Sequence, residues 1–312
     1  MYLFVVLCVP VIMISALTSQ QLQETEATVR YRCRVTYDGT SFCGFQLQHD
    51  KKQRTVQGEI ERVLSTRFNR LIRVVGAGRT DAGVHSRGQA VHFDLYRNET
   101  EKMKDDSRTC LEISMNRMLP MDVRVWNVGQ APLPCEELVN GRRSIHAWNV
   151  MRKCNAKLYS YRLCIGDSMD PVERYTRWQL DWGHEIDPKY LLKVLKHFEG
   201  THDFSLFANA LEQNERKTGK TMSTIRTIHS VNLVHEKDDH YRIDVYLEGA
   251  LYKMVRNIVG TALEVCRGRM SEEKFLEILH HPSRFIRKDN TAKPAPPQGL
   301  TLEHVFYPKD DF

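Results

Sequence analysis

The chain has 312 residues and a formal charge of +6, with 41% hydrophobic and 27% charged residues. That length supports about two domains and a sizeable core, and the mild basic excess suits a polyanionic partner without requiring one. The eight cysteines are scattered with no C-x-x-C pair, which disfavours both a zinc site and a disulfide framework.

Tyr2 to Leu17 is almost wholly apolar, and the first basic residue is Arg30. The run is shorter than the roughly 20 residues of a membrane span and lacks the positive flank of a signal peptide. An unusual targeting segment, a membrane tether and a mistaken start codon are all open readings, so the compartment stays undefined. Residues 1–27 are set aside as leader and spacer, with membrane contact expected only if that leader is retained.

Val29 to Tyr37 alternates apolar residues with Arg30, Arg32 and Arg34, the pattern of a strand. The arginines read either as a charged edge that blocks strand addition or as a basic stripe for an RNA backbone. Asp38-Gly39-Thr40 is a turn signal. Thr55 can cap a helix whose core face is Val56, Ile60, Val63 and Leu64.

Leu71 to Val75 and Val91 to Leu95 read as strands around the decamer Gly76 to His85. Three glycines and the run Arg79-Thr80-Asp81 make this a tight loop on a sheet, where functional groups are commonly held. The loop reads as a plain turn, as a phosphate loop, or as a catalytic carboxylate beside an arginine. The second fails in detail, because no Gly-Lys-Ser/Thr and no helical pattern follow the glycines.

Tyr96 to Cys110 reads as a charged surface loop, Leu111 to Leu119 as a helix, and Pro132 to Arg143 as a linker. A domain boundary near Asn140 then divides residues 28–140 from 141–308. In the second half, Lys157 to Arg162 is a strand with Tyr159 and Tyr161 on one face. Asp187-Pro188 starts a helix that Gly200 ends. The adjacent His202 and Asp203 read as a turn rather than a base with its orienter. Ala210 to Thr221 reads as a polar, mobile stretch, and Ile228 to Leu247 as a hairpin. Leu251, Met254, Val255, Ile258, Val259 and Ala262 form a buried helical stripe, with Arg256 beside it. A buried guanidinium needs an acidic partner. The elements imply an α+β chain of two similar halves, with antiparallel sheets and helices on one face.

Several runs carry a more specific resemblance: GAGRTDAGVHSRGQAVHFD from Gly76, YDGTSFCGFQLQ from Tyr37, TVQGEIE from Thr55, LYKMVRNIVG from Leu251 and KPAPPQGLTL from Lys293. Together with Leu119 to Val123, the KLYSYR strand and GTHDF from Gly200, they resemble the tRNA pseudouridine synthase A family over residues 29 to 308. Ile145-His146-Ala147-Trp148 departs from the family's Phe-His-Ala-Arg.

The resemblance implies the pseudouridine synthase fold, two similar domains with an RNA cleft between them. It implies an isomerase that converts uridine to pseudouridine in the tRNA anticodon stem-loop, with no cofactor and no metal. Asp81 would be the nucleophile and Arg256 its partner across the two halves. Arg79 would take the place of the flipped base, and Tyr159 would pack on the target uracil. A homodimer binding tRNA is also implied. Two other classes stand beside this one. One is an RNA-binding protein of the same fold without catalysis. The other is an unrelated carboxylate enzyme such as a glycoside hydrolase, needing a second carboxyl about 5–9 Å away, for which Asp38, Asp94 and Asp203 are candidates.

Overall fold

The computed structural model describes residues 28–48, 50, 52–101, 107–139, 142–219, 221–308 and 312. The leader at 1–27 and the expected boundary at Asn140 lie outside them. Among the described residues, no helix is long and apolar enough to cross a membrane.

The first half contains β1 (Thr28–Tyr37), α1 (Val56–Phe68), β2 (Val74–Gly76), β3 (His85–Tyr96), α2 (Arg97–Glu101), α3 (Ser107–Met118) and β4 (Val123–Gln130). A hairpin of β5 (Cys135–Val139) and β6 (Arg142–His146) follows. The second half contains β7 (Ala156–Cys164), β8 (Trp178–Gln179), α4 (Pro188–Lys196), β9 (Gly200–Asp203), α5 (Leu211–Thr218), β10 (Ile225–Lys237), β11 (His240–Leu247), α6 (Met254–Cys266), α7 (Glu272–His280) and β12 (Leu300–Phe306).

The strands of both halves join in one sheet of order β4-β1-β3-β12-β7-β11-β10-β9, with β2 on β3 and β8 on β7. The last strand, β12, closes the seam. It runs parallel to β3, with Leu302 opposite Ser86, and antiparallel to β7, with Leu302 opposite Tyr159. One apolar cluster packs α1 and α3 on the first strands through Ile60, Leu64, Phe93 and Leu111. A second packs α4, α6 and α7 on the later strands through Leu195, Ile258, Phe275 and Tyr161.

Several local expectations hold for the reasons the residues suggest. The Thr55 hydroxyl accepts a hydrogen bond from Gly58 N–H at 3.2 Å, and Val56, Ile60, Val63 and Leu64 are fully buried. Asp187 caps α4 by accepting from Lys189 N–H at 3.0 Å, with Pro188 in the first turn.

Others are corrected. The 132–143 stretch is not a bare linker, because it holds the β5–β6 hairpin; Pro132 and Pro134 stand ahead of the first strand, where a missing N–H removes no ladder bond. Gly200 does not end α4. It opens β9 at φ +102°, opposite Ile228. The 96–110 stretch contains α2 and the start of α3, and the 210–221 stretch contains α5, which Gly219 terminates at φ +64°.

β1 is not an edge either, since β3 and β4 flank it. Its arginines are covered. Arg30 grips Asp94 with two bonds of 2.8 Å, Arg34 donates to Val305 O at 2.7 Å, and the guanidinium groups of Arg32 and Arg34 stack on Phe312 at 4.4 and 4.0 Å. The β1 arginines are thus engaged by tertiary partners rather than laid out as an open stripe.

His92 ties β3 to the chain that enters β7. Its Nδ1 accepts from Val150 N–H at 3.4 Å, and its ring meets Trp148 edge-on. Burial, reinforced by Arg30, lowers its pKa from the ordinary 6.5 to about 4. Above pH 6.5 the ring is neutral in both folded and unfolded states. Between about 6.5 and 4 only the unfolded chain takes up the proton, so stability falls with pH across that window. Thermal melts should therefore show wild type losing more stability than His92→Gln between pH 7 and pH 5, by on the order of 1–2 kcal/mol.

Candidate active site

The 76–85 loop is held by the 37–45 segment lying under it. Phe45 N–H donates to Thr80 O at 3.1 Å, Gly83 N–H to Phe42 O at 3.3 Å, and Gly39 N–H to His85 Nδ1 at 3.1 Å. Gly44 sits at φ +96°, and a Cβ there would lie 2.8 Å from Thr80 O. Only glycine allows both that backbone conformation and that approach. Tyr37 shares a hydrogen bond of 2.8 Å with the Thr80 hydroxyl, and burial pushes its phenol up to about 12. Gln89 donates to Gly78 O at 2.9 Å, and Lys157 donates to Ala77 O at 2.9 Å. The loop backbone is thus fixed on three sides.

Arg256 reaches this loop from α6. Its Nη1 donates to Asp81 Oδ2 at 2.8 Å and its Nε to Ala295 O at 2.7 Å. The Arg256 side chain is 11% exposed and that of Asp81 14%. Gly260 makes this possible one turn further on. A Cβ there would lie 2.1 Å from Lys293 O, so only glycine lets the 293–296 segment press against the helix. That segment is pinned again where Ala295 N–H donates to Arg256 O at 2.9 Å and Tyr161 Oη donates to Pro296 O at 2.8 Å.

Tyr159 is 7% exposed on β7, two strands from Ser86 in the row Ser86–Leu302–Tyr159. At the usual strand spacing that row spans about 10 Å. Burial pushes the Tyr159 phenol well up, helped by Tyr37 and the Asp81 carboxylate, so it stays protonated at neutral pH. Arg79 is exposed and makes no hydrogen bond or ion pair with a described residue.

The structure thus brings Asp81, Arg256 and Tyr159 together, with Arg79 projecting outward from the same loop. The other carboxylates weighed are engaged elsewhere: Asp94 with Arg30, Asp38 with Thr40 and Asp203 with Ser205 N–H. His202 donates to Glu199 O at 2.9 Å, a structural contact. Among the described residues, no group of three or more His, Cys, Asp and Glu side chains is placed to hold a metal ion. Tyr37, Gln89 and Lys157 were not singled out by residue pattern. All three lie inside or beside the quoted motifs, but their contacts to the loop are long-range.

A family model described as tRNA pseudouridine synthase matches residues 34–121 and 194–308. The tRNA pseudouridine synthase A of Anoxybacillus flavithermus is 35% identical over 279 residues, covering 89% of this chain and 98% of that protein. Its counterpart from Latilactobacillus sakei is 34% identical over 283 residues, covering 90% and 99%. The tRNA pseudouridine synthase A 1 of Desulfotalea psychrophila is 35% identical over 276 residues, covering 88% and 97%. Among solved structures, the archaeal box H/ACA sRNP Nop10–Cbf5 complex aligns at 12% identity and a TM-score of 0.27, over 73% of this chain and 41% of that one. The chain belongs to the tRNA pseudouridine synthase A family, and with it to the isomerases.

Breaking a buried ion pair from one side leaves an uncompensated charge. Urea unfolding of Arg256→Met should show a loss of about 3 kcal/mol, with part of it recovered in the Asp81→Asn/Arg256→Met double variant. Strictly additive losses would mean the pair is not coupled.

Proposed function

We propose that the protein isomerises uridine to pseudouridine in the anticodon stem-loop of tRNA, with Asp81 as the nucleophile. The observation that carries this reading is the 2.8 Å pair between Asp81 and Arg256, which joins residues 175 positions apart.

The chemistry needs little else. The bond from C1′ to N1 of the uridine breaks, the uracil turns, and C5 bonds to C1′. The C5 proton leaves and N1 ends protonated, so no electrons are gained or lost. Asp81 serves either by attacking C1′ or by removing a sugar proton. Arg256 holds the carboxylate in place at 2.8 Å, and its second bond to Ala295 O keeps it from following the substrate.

A uridine inside a stem must first leave the stack, at a cost of a few kcal/mol. Arg79, exposed and bonded to no described residue, stands two residues before Asp81 and fills the vacated place. Tyr159 offers its ring to the extruded uracil. The domain division at 28–140 and 141–308 and a homodimer that shares each tRNA complete the proposal. Membrane contact is assigned to residues 1–27 alone, where that leader is retained.

Tritium release from a tRNA transcript labelled at C5 of uridine tests the reading. Wild type should release the label. Asp81→Ala should release none, while its RNA affinity stays within about tenfold of wild type, because phosphate contacts dominate binding. Release by Asp81→Ala would remove Asp81 as nucleophile. A wild type that binds tRNA but releases nothing would leave an RNA-binding protein. Under the same assay, Tyr159→Leu should lower kcat by at least about tenfold, in line with the 1–3 kcal/mol of a stacked base, and Tyr159→Phe should retain most of it.

A further inference from the structure

Lys157 stands beside the loop with Arg226 near it, and neither has a carboxylate partner among the described residues. Lys157 lies two residues before Tyr159 on β7, so the pleat puts both side chains on the same face. Lys157 is opposite Leu247 and Leu247 is opposite Ile228. Arg226, two residues before Ile228, shares that face at the start of β10.

Both are partly buried. The Lys157 ammonium uses one of its three protons on Ala77 O, and its Nζ would be 3.0 Å from a Cβ at position 78. Arg226 spends Nη1 on the carbonyls of Ser223 and Ile225, at 2.9 and 2.6 Å, and makes no other hydrogen bond to a described residue. Burial lowers the pKa of each, and the Arg226 charge lowers that of Lys157 further.

Several partly buried arginines here are matched with carboxylates, as in Arg30–Asp94, Arg70–Glu99 and Arg162–Glu303, whereas the hydrogen bonds of Arg34 and Arg124 go to backbone carbonyls. Arg287, which has no carboxylate partner among the described residues, instead donates from all three of its nitrogens, to Ala208 O, Asn290 O and Asn257 Oδ1. Lys157 and Arg226 keep donors that meet no described residue, and their charges repel each other. Removing two like charges from water without a counter-charge is unfavourable, and the surplus is located where an anion would relieve it.

We propose that Lys157 and Arg226 together bind one phosphodiester of the RNA backbone next to the target uridine, on the Gly78 side of the loop. This rests on the RNA-isomerase reading above and adds a backbone contact distinct from Arg79. One phosphodiester carries a single negative charge, and two cations exceed it, so binding would relieve their mutual repulsion. Lys157 would also report the bound phosphate to the loop through Ala77, which places it as a positioning residue.

The test is the salt dependence of tRNA affinity, measured by titration at several KCl concentrations for wild type, Arg226→Ala, Lys157→Met and Lys157→Arg. Each contact to a phosphate contributes about 0.7–0.9 to the slope of log Kd against log salt. Arg226→Ala and Lys157→Met should each flatten the slope by about that amount and weaken binding several-fold. Lys157→Arg should keep the wild-type slope. Slopes unchanged in both Arg226→Ala and Lys157→Met would overturn the subsite. So would a Lys157→Met variant that loses only thermal stability and turnover, because that is the result expected of a lysine that merely holds the Ala77 carbonyl. Tritium release in the same wild-type samples separates the two levels: its absence removes the isomerase reading, whereas unchanged slopes beside normal release remove the subsite alone.

Discussion

The arrangement depends on one carboxylate being paired with a guanidinium while largely withdrawn from water. Asp81 retains only 14% of its side-chain exposure, and Arg256 answers it at 2.8 Å. Such a pair is a weak source of stability, since desolvating two charges costs about as much as their attraction returns and apolar side chains would pack as well. Under the proposed function the pair serves to position the carboxylate more than to stabilise the fold. The same reasoning accounts for how much of the surrounding chain serves to hold the two partners. Gly44 admits the segment under the Asp81 loop, and Gly260 admits the segment that fixes Arg256 through Ala295.

The second constraint is the seam of the sheet. Asp81 precedes β3, Tyr159 lies on β7, and β12 is the only strand between them. The row Ser86–Leu302–Tyr159 therefore fixes the spacing between the carboxylate loop and the aromatic ring. Ser86 Oγ donates to Leu302 O at 3.0 Å, and buried Arg34 donates to Val305 O, so β12 is tied from the first half as well. A register slip of one residue in β12 would invert its faces and move Leu302 out of that row. The chain's last strand thus sets a distance between groups that come from its two halves.

What the residues disclosed follows how local the determining interaction is. The Thr55 and Asp187 caps, the apolar stripe of α6 and the strand periods of β1, β3 and β7 are set within a few residues, and they could be read directly. The pairing of Arg256 with Asp81 was demanded only in outline by the cost of an unpaired buried guanidinium; its partner came from the family resemblance, since 175 positions separate the two. The β1 arginines misled for the same reason. Their alternation is that of an edge strand or an RNA stripe, and only tertiary partners (β4, Asp94, Phe312) reveal an interior strand. The β5–β6 hairpin was hidden behind prolines that mark its approach and not its strands. Lys157 was visible as a letter in a strand motif, but its bond to Ala77 O crosses 80 positions.

Two arginines flank Asp81 in opposite states, and the contrast bears on how base displacement would work. Arg256 is buried, with two acceptors, and cannot leave without stripping a largely buried carboxylate of its counter-charge. Arg79 is exposed and bonds to no described residue. Around it the backbone is bonded through Ala77 O, Gly78 O, Thr80 O and Gly83 N–H. The loop itself therefore has little freedom to move toward RNA, whereas no hydrogen bond to a described residue holds the Arg79 side chain. In the proposed reaction, entry into the stack would cost the ordering of one side chain, about 2 kcal/mol, and would leave Asp81 where Arg256 holds it. A loop that had to close over the RNA would break that pair at the moment the carboxylate is needed.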